Sequence, residues 1–245
     1  PILSTELTNE EKAKVYQGRT IKNCKVLDKK DKHTFLELGF GLGKWWVYDA
    51  HWDGLMTKTE IKPYAVDGSL HYLRNFPYFY QQDNGPEGWR QCQTSSIAMC
   101  LAYLGAGNIR DDLDYLKVVQ RFGDTTSQTA HQQALASLGV RARFVQDCSA
   151  PQLQAEIRGG LPAAIGILHH GPVSAPSGGG HWIACYGFDS QGWIVNDPYG
   201  ELDLMSGTWA RQGGSSGKGQ RYSYRNLNPR WLAEGAASGW AWLFS

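Results

Sequence analysis

Residues 92–104 read Cys-Gln-Thr-Ser-Ser-Ile-Ala-Met-Cys-Leu-Ala-Tyr-Leu and form the most informative stretch of the chain. Its apolar side chains recur at intervals of three and four residues, as Ile97, Cys100, Leu101 and Leu104. That spacing predicts an amphipathic helix that ends at Gly105, with capping side chains from Thr94–Ser96. Cys92 would stand at its N-terminus, where the helix dipole favours a thiolate and free backbone N–H groups can receive an oxyanion. The stretch therefore predicts a helix that begins with a candidate nucleophile.

Downstream of this helix, the pattern predicts more helices and then strands. The helices are predicted at Asp111–Phe122, Ser127–Leu138 and Ala150–Arg158. Apolar runs predict strands at Pro162–Leu168, His181–Phe188, Gly192–Asn196 and Trp240–Phe244. Helices followed by antiparallel strands are typical of an α+β domain, in which the groove between the two halves is a natural place for a site.

Residues 1–66 and 67–245 differ in pattern and are interpreted as two domains. The first domain contains short β-like runs, separated by the turn-forming segments Asp28–Asp31 and Gly39–Gly43. These runs are Val15–Tyr16, Cys24–Leu27, Thr34–Leu38 and Trp45–Tyr48. Short, closely spaced strands favour a small SH3-like barrel. The aromatic stretch Lys44–Asp53 is either a binding face or the packing of that barrel, and the sequence leaves both interpretations open.

The composition excludes several classes of function. The 245 residues carry 24 Lys and Arg against 23 Asp and Glu, and the net charge of +1 gives no field that would attract nucleic acid or an anionic membrane. No apolar run approaches membrane-spanning length, and Pro1–Glu10 lacks the pattern of a signal peptide. The five cysteines have no regular spacing, which argues against a disulfide framework or a structural zinc site. We therefore expect a soluble protein made in a reducing cytoplasm.

A histidine and a carboxylate follow at positions that suit partners for Cys92. His181 opens a predicted strand after the flexible segment Ser177–Gly180, and Asp197 follows the next predicted strand. A carboxylate on the neighbouring strand would accept the Nδ1–H of His181 and leave Nε2 for the thiol. Taken singly, these residues can also be a buried helix cysteine, a solvated loop histidine and a turn aspartate. Order and spacing alone make a Cys–His–Asp set possible without establishing it.

Other histidines are alternative bases. His169 and His170 lie at the end of the preceding predicted strand, near the glycine-rich approach to His181, and rank below it. His131 lies in a predicted helix of Gln and Ala and is expected at the surface. The Gly- and Ser-rich stretch Ser206–Gly219 is expected to be a loop beside the cleft.

Four motifs, in order, resemble the C39-like branch of the papain-like cysteine peptidases. They are Pro77-Tyr-Phe-Tyr-Gln81, Cys92-Gln-Thr-Ser-Ser-Ile-Ala-Met99, Gly180-His-Trp-Ile-Ala184 and Asn196-Asp-Pro198. The resemblance implies a papain-like fold, with a helical half and an antiparallel β half, behind the SH3-like module. It also implies that Cys92 is the nucleophile, His181 the base, Asp197 the acid that orients the base, and Gln81 the amide that binds the oxyanion.

The sequence departs from the family pattern at two points. Gln93 follows the nucleophile, where the family often has Gly. The interval between Gln81 and Cys92 is also longer than in compact members, so Gln82 stays an alternative for the amide role.

The resemblance implies hydrolysis of amide bonds without a metal or an organic cofactor. A free-standing enzyme behind an SH3-like module is similar to cell-wall hydrolases, in which the module holds the enzyme on peptidoglycan. The favoured interpretation is therefore a phage or bacterial lysin that cleaves peptidoglycan peptides, released by a phage holin or carried in a virion. Processing of a protein substrate is one alternative, and a catalytically inactive virion or binding protein on the same scaffold is another.

Overall fold

The computed structural model describes residues 25–30, 33–37, 44–48 and 70–245. The chain divides into two compact units, Pro1–Pro63 and Tyr64–Ser245. Within the described ranges, no helix has the length and apolar character needed to cross a membrane.

Three strands form an antiparallel sheet in the N-terminal unit. They are β1 (Lys25–Lys30), β2 (His33–Glu37) and β3 (Lys44–Tyr48), with β2 in the middle. The turn predicted at Asp28–Asp31 is wrong in part, because β1 continues to Lys30 and its Asp28 pairs with Phe35 of β2. A register shift between Val26 and Asp28 lets the strand keep pairing through this charged segment. The remaining run predicted for the SH3-like barrel, Val15–Tyr16, lies outside the described residues, so the barrel stays a prediction.

Residues 70–245 contain five α-helices. They are α1 (Cys92–Leu104), α2 (Asp112–Val119), α3 (Gln128–Ser137), α4 (Ala150–Arg158) and α5 (Tyr224–Trp231). The predicted bounds of α1 and α4 are confirmed, and Gly105 ends α1 in the left-handed conformation, with φ of 62°. The second helix is shorter than predicted, since Asp111 caps its start and it ends at Val119. The sequence did not predict α5, because that segment contains Pro229 and few apolar side chains.

The strands of the C-terminal unit form one large antiparallel sheet and a small hairpin. Strands β4 to β12 span, in order, His71–Tyr72, Ala142–Ser149, Ala163–Ile167, His181–Phe188, Gly192–Asn196, Gly200–Asp203, Thr208–Gln212, Gln220–Ser223 and Ala237–Phe244. The large sheet has the order β11-β8-β7-β6-β12-β5, with β4 paired to the end of β7, while β9 and β10 pair with each other. Helices and an antiparallel sheet together confirm the predicted α+β class.

Helices cover both faces of the large sheet. Ala164 of β6 belongs to the core that contains Ile97 of α1, whereas the next residue, Ile165, belongs to the core that contains Leu153 of α4. A strand that is buried on both faces is expected to be apolar throughout, which explains the unbroken apolar run of the neighbouring β7. His181, the first residue of β7, pairs with the end of β6 and so starts from a rigid position.

Some strands were missed because they lie at edges. The ends of the large sheet are β5 and β11, and their polar, partly exposed sequences carry no strong apolar pattern. The loop predicted at Ser206–Gly219 is wrong in part, because β10 (Thr208–Gln212) lies within it and pairs with β9. Trp209 is the one residue of β10 that packs against the core, so the sequence of this strand resembles that of a solvated loop.

Candidate active site

Cys92 is the first residue of α1 and is partly exposed. Gln91 precedes the helix and makes no side-chain cap. The predicted capping role of Thr94–Ser96 is wrong, since the Ser95 Oγ donates instead to Asp112 Oδ2 at 2.5 Å. No side chain therefore caps the first backbone N–H groups of α1, which lie beside the thiol. Free N–H groups at a helix start can donate hydrogen bonds to a developing anion.

His181 and Asp197 are joined by a hydrogen bond in the interior. His181 opens β7 and Asp197 follows β8, and the pairing of Ala184 with Asn196 brings these two points together. The bond joins His181 Nε2 to Asp197 Oδ1 at 2.7 Å, and both side chains are buried. The prediction that Nδ1 would face the carboxylate is wrong, because the imidazole turns its Nε2 edge toward Asp197. Nδ1 is left for the thiol.

The Cys92 side chain lies close enough to His181 to interact with its imidazole. Burial of His181 lowers its pKa, but the charge and hydrogen bond of Asp197 and the interaction with Cys92 together raise the pKa to about 10. The imidazole therefore binds a proton firmly at neutral pH. Cys92, His181 and Asp197 therefore form one series of interacting groups that can draw the thiol proton onto nitrogen.

The Asp197 carboxylate accepts hydrogen bonds on both oxygens. Besides the bond from His181, Oδ1 accepts the backbone N–H of Tyr199 at 3.0 Å, and Oδ2 accepts the Tyr222 hydroxyl at 3.1 Å. The Tyr222 oxygen in turn accepts the backbone N–H of Leu202 at 2.9 Å. Burial, and next the nearby charge of Asp197, raise the pKa of Tyr222 well above its usual value, so the Tyr222 hydroxyl keeps its proton and donates it to Asp197. These bonds fix the orientation of the carboxylate toward the imidazole.

Aromatic rings cover the outer side of His181. The ring of Trp209, on β10, stands nearly perpendicular to that of His181 with centroids 5.1 Å apart, and the Tyr199 ring packs against Trp209 with centroids 4.6 Å apart. Trp209 is partly buried against the core beside the sheet. Apolar rings at this position exclude water from the His181–Asp197 hydrogen bond, which strengthens it.

The alternative histidines do not join this series. The His169 ring lies 5.6 Å from that of His181, and burial, followed by the nearby charge of His181, lowers the pKa of His169 to about 4. His169 is therefore neutral at working pH and lines the site, while His170 is exposed. The surface position predicted for His131 is wrong, because it is fully buried in α3 and bonds the Tyr115 hydroxyl at 3.0 Å.

Gln81 is fully buried, while its neighbour Gln82 is partly exposed. The backbone N–H of Gln81 donates to the carbonyl of Pro198, the residue after Asp197, at 2.9 Å. Its side-chain Nε2 donates to the Gly88 carbonyl at 2.7 Å, and an amide nitrogen has a second proton to give. A Cβ on Gly88 would collide with the Gln81 carbonyl, so Gly is required for this close approach.

A known protein family matches the C-terminal unit. Residues 73–217 match the Peptidase_C39 like family. The chain belongs to this family. It is therefore a C39-like member of the cysteine peptidases, and the match contains Gln81, Cys92, His181 and Asp197.

Two solved structures are similar to this C39-like peptidase. One is a protein from Bacillus anthracis described as a C39-like peptidase, 15% identical, with a TM-score of 0.49 over 72% of this chain and 98% of that chain. The other is the peptidase domain of Streptococcus ComA, a bifunctional ABC transporter of a quorum-sensing pathway, 16% identical, with a TM-score of 0.42 over 64% of this chain and 92% of that chain. No curated protein matches the chain.

Sequence reasoning missed two residues of the peptidase site, Tyr222 and Trp209. Tyr222 lies in Gln220–Ser223, next to Tyr224, where alternating polar and aromatic residues could have indicated a strand. Trp209 is a lone aromatic residue in a polar stretch, and an isolated aromatic side chain of this kind could have indicated a residue that lines the cleft. Their contacts with Asp197 and His181 depend on strand pairing that no local pattern shows.

The remaining described thiols of the peptidase lie away from this site. Cys100, Cys148 and Cys185 are free and fully buried. Burial raises the pKa of each of these thiols, so none is ready to act as a nucleophile. Across residues 70–245 and the three N-terminal strands, no group of three His, Cys, Asp or Glu side chains could hold a metal ion.

Proposed function

We propose that this peptidase hydrolyses amide bonds with Cys92 as nucleophile, His181 as base and Asp197 as the residue that orients His181. The observation that carries the proposal is the buried 2.7 Å bond between His181 and Asp197, together with Cys92 at the start of α1, which is close enough to interact with the imidazole. Membership of a cysteine peptidase family supports thiol chemistry independently.

The first half of the reaction transfers an acyl group to sulfur. His181 takes the thiol proton, and the Cys92 sulfur forms a bond to the carbonyl carbon while the carbonyl π electrons move to oxygen. The C–N bond then breaks as the oxygen electrons return, and His181 gives its proton to the leaving amine. The product is a thioester on Cys92 and a free amine.

The oxyanion of this step needs hydrogen-bond donors. The backbone N–H of Cys92, at the uncapped start of α1, is one candidate, and the second proton of Gln81 Nε2 is the other. Gln81 is favoured over Gln82 because it is buried and its backbone is bonded to Pro198, directly after Asp197.

The second half returns the enzyme to its starting state. His181 takes a proton from water, and the oxygen of that water bonds to the thioester carbon. When the C–S bond breaks, the carboxylic acid leaves and the sulfur recovers its proton from His181. Asp197 keeps the imidazole in place through both halves.

The proposed substrate is the peptide part of peptidoglycan. The family match begins at residue 73, so the unit Pro1–Pro63 is additional to the peptidase and is available as a separate binding module. We propose the domain division 1–66 and 67–245, with the first domain holding the enzyme on the cell wall. A wall-bound lysin of phage or bacterial origin is the form of cell-wall hydrolase that this arrangement suits.

The test is mass spectrometry of purified peptidoglycan digested with the full chain, beside the Cys92→Ala variant. We expect new stem-peptide fragments that disappear with Cys92→Ala, and the fragment masses identify the bond. Co-sedimentation of Cys92→Ala with insoluble peptidoglycan tests the binding role of the N-terminal unit, because this variant cannot digest its own support.

Three other results would each contradict part of the proposal. Unchanged peptidoglycan, together with defined cleavage of a protein such as casein, would replace the wall substrate by a protein substrate. No hydrolysis of either, with Cys92 unreactive toward iodoacetamide at neutral pH, would indicate an inactive scaffold. Failure to co-sediment would remove the support for a wall-binding module.

A further inference from the structure

Asp112 is a buried carboxylate that the proposed reaction does not use. It is the first residue of α2 and is 5% exposed. Its Oδ2 accepts the Ser95 hydroxyl at 2.5 Å and the side-chain amide of Asn84 at 2.8 Å. Burial raises its pKa, and these two neutral donors oppose the rise. A buried carboxylate without a cationic donor is costly to maintain, so a function for it is expected.

The two residues that donate hydrogen bonds to Asp112 lie on the same two segments as the candidate donors for the oxyanion. Ser95 lies in the first turn of α1, which begins with Cys92, and its own backbone N–H bonds the Gln91 carbonyl at 3.0 Å. Asn84 ends the short 3₁₀ turn that begins at Gln81, and its backbone N–H donates to the Gln81 carbonyl at 3.2 Å. One carboxylate therefore ties the start of α1 to the turn that presents the Gln81 amide.

We propose that Asp112 is a positioning residue that sets the distance between the Cys92 backbone N–H and the Gln81 side-chain amide. The inference rests on the proposed function and adds to it a residue that touches neither the substrate nor the reacting atoms. The hydrogen bonds of Asp112 go to Ser95 and Asn84, and Asp112 is not among the groups that act on His181. Its loss slows reactions that pass through an oxyanion and spares those that need only the thiolate.

Two small probes separate these reactions without reference to the natural substrate. With 4-nitrophenyl acetate, the Cys92 sulfur bonds to the acetyl carbon, a tetrahedral oxyanion forms, and the C–O bond breaks to release 4-nitrophenolate. With iodoacetamide, the sulfur displaces iodide directly from carbon, and no oxyanion forms. The ratio of the acetylation rate constant to the alkylation rate constant, measured on the full chain, therefore shows how well the donors stabilise the oxyanion. Cys92→Ala gives the background for both probes.

We expect Asp112→Ala to slow acetylation about 10- to 100-fold, as a misplacement of a catalytic group by an ångström does, and to leave alkylation unchanged. Asp112→Asn keeps an acceptor oxygen for Ser95 and Asn84 and should restore most of the acetylation rate. Asp111→Asn is the matched control, because Asp111 caps α2 without contacting either donor, and it should change neither rate. Asn84→Ala should reproduce the selective loss if Asp112→Ala does not fold.

A double variant tests whether Asp112 acts through the Gln81 amide. In a Gln81→Ala background, Asp112→Ala should slow acetylation little further, because the amide that it positions is gone. The inference would be overturned if the losses of the two single variants multiplied in full in the double variant. It would also be overturned if Asp112→Ala lowered both rate constants equally or left the acetylation rate unchanged. Acetylation and alkylation of Cys92→Ala at wild-type rates would instead refute the proposed function, so the two failures are distinguishable.

Discussion

In the proposed mechanism, the protonation state of His181 governs the reactivity of Cys92. The charge and hydrogen bond of Asp197 outweigh the effect of burial and raise the His181 pKa from 6.5 to about 10. Because His181 would have to hold a proton to release the amine, the alkaline limb of the pH profile should lie where pH rises through about 10. In Asp197→Asn the carboxylate charge is lost and the His181 pKa falls, so the alkaline limb of the pH profile should move toward neutral pH. The measurement is kcat/KM for peptidoglycan hydrolysis across the neutral and alkaline range.

A control for this shift is His170→Gln, which changes an exposed histidine outside the series of interacting groups. Its profile should coincide with that of the wild type. An alkaline limb at the same pH in Asp197→Asn and in the wild type would contradict the role given to Asp197.

Tyr222 should matter for activity because it fixes Asp197. Tyr222→Phe removes the 3.1 Å bond to Asp197 Oδ2, and hydrogen bonds to charged groups are worth about 1.5–3 kcal/mol. We expect a loss of that order in the free energy of unfolding and a fall in hydrolysis of roughly 10-fold. Tyr224→Phe is the control, since the Tyr224 hydroxyl donates to the Asp189 carbonyl at 2.8 Å, away from the site. Equal losses of hydrolysis in both variants would leave Tyr222 without a specific role.

At the residue scale, the sequence predicted which residues meet but not how they meet. Cys92, His181 and Asp197 could be selected because a helix start, a glycine-rich approach and an Asn-Asp-Pro segment are visible in the chain. The imidazole edge that faces Asp197 depends on the side-chain rotation of His181 within the packed sheet. The bond from Tyr222 could not be predicted, because it requires the pairing of β11 with β8.

Among the elements, the hairpin of β9 and β10 has a testable role through Trp209. Trp209→Ala should let water reach the His181–Asp197 bond and slow alkylation of Cys92 by iodoacetamide at neutral pH roughly 10-fold. Trp209→Phe keeps an apolar ring and should retain most of the rate. A loss of the same size in both variants would argue that the indole itself, and not the exclusion of water, is required.

Helix α5 is joined to the strands beside the site through Arg230. This buried side chain donates to the carbonyls of Leu168, His170, Gly171 and Leu204. Arg230→Met should lower the free energy of unfolding by at least about 3 kcal/mol, because these buried carbonyls lose their donor. Urea denaturation measures the change, and Arg225→Met, at an exposed position of the same helix, should be close to neutral. A similar midpoint for both variants would contradict this structural role.

Elements with a buried face were predictable, and elements at edges were not. The periodic helix α1 and the apolar strand β7 matched their predicted bounds, Cys92–Leu104 and His181–Phe188. The edge strands β5 and β11 face solvent, so burial imposes little pattern on them. The segment Ser206–Gly219 was predicted as a loop for the same reason. Its strand β10 pairs with β9 in a two-stranded sheet, so burial imposes little apolar pattern on it.

For the whole molecule, the α+β class and the peptidase family follow from the order of a few motifs. The fold of residues 70–245 places the start of α1 and the start of β7 together, and this brings the motifs around Cys92 and His181 into one site. The substrate is not encoded in this arrangement, because the series Cys92, His181 and Asp197 would treat any accessible amide alike. The proposal of a wall substrate therefore depends on the additional unit Pro1–Pro63.

The central claim is that hydrolysis passes through the sulfur of Cys92, and modification of that sulfur tests it most directly. The full chain is treated with increasing iodoacetamide at neutral pH, peptide mapping gives the modified fraction of Cys92, and turnover of 4-nitrophenyl acetate gives the remaining activity. The buried Cys100, Cys148 and Cys185 should stay unmodified and serve as internal references. We predict that activity falls in proportion to the modified fraction of Cys92. Full activity in a protein whose Cys92 is completely modified would contradict the account.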